Sequence, residues 1–370
     1  MRTIMLPLLL CSICAAADRD WLCIDDVRIP VRKTQTTLPN GTCRLTNATT
    51  LEPTKTPASA DFSDFDADNG LFFVAEKGVN CIRVYDHQGT KISEFCGAPS
   101  GAYDFGTIRA ISADNNRMLI SHEDDANPII SLLTTSPSAY VEAVPGQDGC
   151  LLYGNVRIGY SGELYAHGSV NYIAKGWNGY VSDDKVFGLS AVNLSVVASV
   201  RSRNHCLYNT DGRRSVEPYT VFDFDKDGTL YYSYKSVPVV YIAGPTQRRS
   251  FLIHRGQGTV DSVTVEKLRV DPSGAYVVCG SYIRSSEEPD LLYSVYRDDG
   301  RLVSDIREPR PSRRATEDIA SIAFDKADGK AYVLTFSQKR KGSQVLHSYK
   351  VYALEIRESA SADSRLGQSR

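Results

Sequence analysis

Six segments of the chain repeat one grammar: an alternating apolar run, a polar turn closed by Gly or Asn, and a second alternating run. They are DFDADNGLFFVAEK (64–77), ISADNNRMLISHE (111–123), RIGYSGELYAHG (157–168), FDFDKDGTLYYSY (222–234), RVDPSGAYVVCG (269–280) and IAFDKADGKAYVLT (322–335). Their turn residues Gly70, Asn116, Gly162, Gly228, Gly274 and Gly329 lie 46, 46, 66, 46 and 55 residues apart. A period of that size suits about four strands, and one such sheet buries neither face until a neighbour stacks on it. The expected fold is therefore all-β: a six-bladed β-propeller of four-stranded antiparallel blades, with the ring closed by an N-terminal strand.

The ends are read separately. Met1–Ala17 has an early Arg2, the apolar stretch Ile4–Ile13 and a small-residue run before Asp18, the order of a signal peptide. Residues 18–60 are then a closing strand and a Thr-, Pro- and Ser-rich lead-in, 61–358 the propeller, and 359–370 a polar disordered tail. The sixth repeat lacks a fourth strand, and the strand-like run left over is Trp21–Pro30, expected to supply it. No later stretch reaches the roughly 20 apolar residues of a membrane span, so no membrane anchor is expected. Loss of Arg2 moves the formal charge from −2 to −3, too near neutral to suggest a nucleic-acid partner.

A secretory route makes disulfides and glycans expected chemistry. In the first repeat, HQGT forms a turn pairing Asp86 with Lys91; Ile82 then faces Phe95, Arg83 faces Glu94 and Cys81 lands opposite Cys96, which predicts a bond. Cys23 with Cys43, and Cys150 with Cys206, are further candidate pairs, and Cys279 in AYVVCG reads as a buried thiol. Sequons mark Asn40, Asn47 and Asn193 for glycosylation.

The loops joining second to third strands, and one blade to the next, share one face, and the long segments fall there. Tyr172, Trp177 and Tyr180 suit an interface, and Arg310, Arg313, Arg314, Lys339, Arg340 and Lys341 give a basic cluster. Asp104, Asn155, Glu217, Glu266 and Asp318 stand at inner-strand entrances, where oxygen ligands from several blades would suit calcium. Asp223, Asp225 and Asp227 match the start of an acidic calcium loop, but Tyr234 holds its twelfth position; turn chemistry explains them without a metal. No paired His metal spacing, nucleophile elbow or phosphate loop is present.

NGLFFVAEKGVNCIRVYDHQGTKISEF (69–95) resembles an NHL-type repeat through Asn69-Gly70, Phe73-Val74-Ala75, Asn80, Ile82-Arg83-Val84 and Asp86 to Gly89. That resemblance implies a six-bladed ring used mostly for binding. The related calcium-dependent lactonases, similar to gluconolactonase and paraoxonase, take metal ligands from inner-strand entrances, places that Asn155 and Glu217 would hold here. The expectation is a secreted, non-enzymatic propeller that binds an extracellular protein or glycan without a cofactor; the alternative is a calcium-dependent lactone or ester hydrolase.

Overall fold

The structure is a computed structural model that describes residues 21–24, 27–30 and, between 39 and 358, all but connecting stretches, the longest being 201–219. Its strands form six blades in a ring. Blade 1 shows the plan: Asp61–Asp68, Leu71–Lys77, Cys81–Tyr85 and Lys91–Cys96 pair in chain order, each antiparallel to the last. Asn69 and Gly70 both take positive φ, 51° and 74°, the two-residue hairpin turn whose twist matches the flanking strands. Blades 2 to 5 repeat the plan from inner strands Thr107–Asp114, Cys150–Ile158, Thr220–Phe224 and Val263–Val270.

The apolar core is divided as stacking demands. Six clusters of buried side chains each mix residues of two neighbouring blades, such as Phe73 and Ile82 of blade 1 with Ile111 and Met118 of blade 2. The seam between blades 6 and 1 has its own cluster, with Phe65 and Tyr85 against Leu334 and Tyr349, so the ring is closed by packing. Inner strands are also stitched sideways. Ile111 N–H donates to Asp64, Ala113 N–H to Asp66, Ile158 N–H to Ser112 and Val270 N–H to Asp223.

Closure comes from a different segment than the sequence suggests. Blade 6 is ordered Asp318–Phe324, Ala331–Lys341, Gln344–Glu358 and Gly41–Thr50, with Thr54–Pro57 also pairing the third strand. Trp21–Pro30 instead forms its own two-stranded hairpin. Composition misleads here: GTCRLTNATT looks like lead-in, but its Thr residues are good strand formers, and Cys43 and Leu45 on alternate positions pack on the core of blades 5 and 6. Residues 1–20, where a signal peptide is expected, residues 31–38 and residues 359–370 lie outside the described residues.

The Cys81–Cys96 bond is present, and Ile82 and Arg83 face Phe95 and Glu94 as expected. The turn register differs by one residue. Tyr85 rather than Asp86 pairs with Lys91, because Ile92 is an extra residue bulged out of the ladder. Cys43 is a free thiol, so the Cys23–Cys43 pair does not form: its side chain turns toward the blade core, and burial pushes its pKa up to about 11. Cys279 is a buried free thiol. Cys150 opens the inner strand of blade 3, and Cys206 lies outside the described residues.

Candidate functional site

Five of the six inner strands carry a β-bulge near their start. The extra residues are Ser63, Arg109, Glu266 and Ala320 in blades 1, 2, 5 and 6, and the stretch Tyr153–Asn155 in blade 3. A bulge breaks the pleat and re-aims a side chain, and such irregularities concentrate beside binding sites. Ser63, Arg109, Asn155 and Glu266 line one cavity of about 370 Å³ at this end of the channel. That volume lies in the range of small-ligand pockets. The cavity opens on the face that carries the joins between second and third strands.

Its wall mixes charge, hydroxyl, amide and apolar groups. Arg109 pairs with Glu123 at 2.5 Å, and Ser63 donates to the Ile108 carbonyl at 2.6 Å. Lys267 reaches Asp64 at 2.7 Å, and Phe62, Val221 and Val265 add apolar surface. In the same wall, buried His122 accepts the Gly106 N–H on Nδ1 and bonds the Ser131 hydroxyl through Nε2, and Ser131 Oγ is in turn 2.9 Å from the Tyr140 hydroxyl. With Nδ1 accepting, the imidazole proton sits on Nε2. This chain fixes the second strand of blade 2 beneath the cavity.

The other end of the channel is narrow. Asp66 and Asp223 meet Arg157, Arg269 and Lys326 there, around a space of about 20 Å³, room for a single water. Burial raises the pKa of Asp66 above the usual carboxylate range, against the lowering pull of Lys326 and Arg157. Burial likewise carries Asp223 up to about 6, again against Arg157. Below pH 3.8 both folded and unfolded chains hold the Asp223 proton, and its favourable contribution is complete. As pH rises through 6 the folded state must ionise a buried group, and the contribution is lost.

Asp223→Asn should therefore flatten the stability profile between pH 4 and 7 by up to roughly 3 kcal/mol; side-chain exposure of 16% makes this an upper bound. Urea midpoints of both proteins across that range measure it. Parallel profiles would contradict the assignment.

Of the expected metal residues, Asn155 and Glu266 share the wide cavity, Asp318 begins the inner strand of blade 6 on the surface, and Asp104 and Glu217 lie outside the described residues. The acidic loop has turn geometry rather than convergent ligands. Asp225 accepts the N–H groups of Asp227 and Thr229, while Asp223 accepts those of Phe224 and Val270. Among the described residues, one group of three metal-ligating types falls within single-ion reach, Cys81, Glu94 and Cys96, and its two sulfurs are bonded to each other.

The interface candidates occupy extended hairpins rather than loops. Tyr172 pairs with Val181 and Ile173 with Tyr180 in blade 3; Lys339, Arg340 and Lys341 pair with Leu346, Val345 and Gln344 in blade 6. Trp177, Arg310, Arg313 and Arg314 lie outside the described residues. Sequence reasoning found Asn155 and Glu266 but missed Ser63 and Arg109, because a bulge is set by strand pairing and these residues share no chemistry.

No protein-family model matches the chain, and no curated protein matches it. In three dimensions it is similar to a candidate exported protein of Bacteroides fragilis, with a TM-score of 0.50 and 10% identity over 88% of this chain and 98% of that one. It is also similar to a member of the DUF4221 family from Bacteroides vulgatus, at 0.49 and 8% identity over 87% and 100%. At 10% identity the first likeness is one of fold alone.

Proposed function

We propose that this chain is an exported, non-enzymatic propeller that binds a protein or glycan ligand through its bulge-lined mouth and the hairpins beside it. One observation carries the reading: a cavity of ligand size opens on the long-hairpin face above a narrow floor lined by ion pairs. A floor so much narrower than the mouth makes a cup rather than a wide conduit. Hydroxyl, amide and charged groups alternating with apolar wall are what a saccharide presents in mirror image, polar edges around an apolar face. NHL-like use of the ring for binding is the form of this reading that blade 1 supports.

Glycan arrays probed with the purified protein, followed by titration of the best binder, test it. Arg109→Ala combined with Glu266→Gln is expected to weaken binding at least tenfold with the melting temperature held; binding unchanged by the double substitution would remove the mouth from the reading. The presence of Asn155 and Glu266 in one cavity favours a second reading, a calcium-dependent lactone or ester hydrolase. Chelator-sensitive turnover of a lactone or aryl ester by metal-loaded protein would replace the first reading with the second.

A further inference from the structure

The outermost strand of each blade is a sheet edge, and edges are protected by charge, bulges or cover. Five of the six carry a charged residue within the strand: Lys91 in blade 1, Glu142 in blade 2, Arg248 in blade 4, Asp305 in blade 5 and Arg44 in blade 6. The edge strand of blade 3, Val196–Val200, reads VVASV and carries none. It is also the most apolar surface described. Of the four exposed large hydrophobic residues among the described residues, Val192, Val196 and Val197 all lie in or just before it, at 82%, 42% and 66% exposure.

The turn that leads into this strand is the third sequon, Asn193-Leu194-Ser195, and it is rigidly built. Ser190 N–H donates to the Ser195 carbonyl and Leu194 N–H to the Ser190 carbonyl, while Leu194, at φ 56°, is buried in the core of blades 2 and 3. Asn193 is exposed, and its Oδ1 accepts both the N–H (3.2 Å) and the hydroxyl (2.9 Å) of Ser195. With Oδ1 turned back on the chain, the amide nitrogen is the outward end of the side chain.

We propose that Asn193 carries an N-linked oligosaccharide that covers the uncharged edge of blade 3 and keeps it from pairing with a second copy. In the transfer, Asn193 Nδ2 bonds to the anomeric carbon of an oligosaccharide carried on a polyprenyl diphosphate. The carbon–oxygen bond to the diphosphate breaks, the diphosphate leaves with the bonding pair, and the amide nitrogen loses one proton. Attachment at the hairpin between third and fourth strands puts the glycan on the face opposite the cup. Asn47, exposed on a bulge of the closing strand, and Asn40, whose N–H donates to the Leu302 carbonyl, also sit on the rim away from the mouth.

The full chain secreted from an N-glycosylating host, mapped by peptide mass after enzymatic deglycosylation in heavy-oxygen water, should show Asn193 converted to labelled Asp. Deglycosylating the folded protein, or expressing Asn193→Gln, should shift a monomer to dimers or larger species in light scattering. Adding Val197→Lys to Asn193→Gln should restore the monomer, since a charge then protects the edge. Ser195→Thr, which keeps the sequon, should behave as the parent. An unoccupied Asn193 overturns the proposal, as does a deglycosylated protein that stays monomeric; the latter readout does not depend on whether a variant folds.

Discussion

Glu76→Ala is expected to cost about 3–5 kcal/mol of stability, the cost of stranding a buried charge by removing its partner. Set against a total of roughly 5–15 kcal/mol for a domain, that brings the ring close to unfolding at ambient temperature. Glu76 is fully buried at the seam where blade 6 meets blade 1. Its Oε1 accepts the Tyr349 hydroxyl at 2.7 Å and His347 Nδ1 at 3.0 Å, both from the third strand of blade 6, and its Oε2 pairs with Arg83. Arg83, 7% exposed, reaches onward to Glu94 at 2.7 Å. Truncation removes the acceptor of a phenol, an imidazole and a guanidinium in one step.

Glu76→Gln should fall between parent and Ala, because its carbonyl still serves Tyr349 or His347 while its NH2 meets Arg83 donor to donor. Asp299→Asn is the control. The Arg301 pair it breaks is half exposed, and its loss should cost under about 1 kcal/mol. Urea midpoints at pH 7 measure all three, and equal shifts for Glu76→Ala and Asp299→Asn would sink the argument. The pH profile adds a separate sign. Burial lowers the His347 pKa, so its contribution is complete above 6.5 and is lost as pH falls through the lowered folded value. That slope runs opposite to the one from Asp223.

Elements with local causes were legible in the sequence. Gly70, Gly228, Gly274 and Gly329 mark inner hairpins because a tight turn needs positive φ, and all four have it. The Cys81–Cys96 bond follows from one turn and strict alternation, and it survives the Ile92 bulge because the bulge falls beyond the paired cysteines. Elements with distant causes were not legible. Arg157 finds Asp223 on the next blade, and Lys267 of blade 5 finds Asp64 of blade 1, through separations of 66 and 203 residues that no local pattern encodes. The mouth is half visible for the same reason: Asn155 and Glu266 declare themselves by type, whereas Ser63 and Arg109 owe their placement to slipped registers.

Closure gives the second large effect. A secreted chain lacking residues 18–36 is expected to fold with its melting temperature within a few degrees of the parent, while one lacking 18–58 is expected not to form a monomeric ring. The longer deletion removes Gly41–Thr50 and leaves the strand Gln344–Glu358 as an open edge. Leu51, 1% exposed in the core of blades 6 and 1, goes with it, about 1.5–3 kcal/mol of burial. So do the Cys43 and Leu45 contacts on blade 5 and the bonds from Leu51 N–H to Tyr349 and Glu52 N–H to Gly89. Backbone pairs at about 0.5–1.5 kcal/mol net each, summed along the strand with that burial, reach the whole stability of a domain. Circular dichroism melts and size-exclusion profiles separate the outcomes. If the 18–36 deletion collapsed as well, Trp21–Pro30 would be the segment that holds the ring; if the 18–58 deletion kept the parent's melt, blade 6 would be complete with three strands, and the stacking that makes one blade depend on the next would end there.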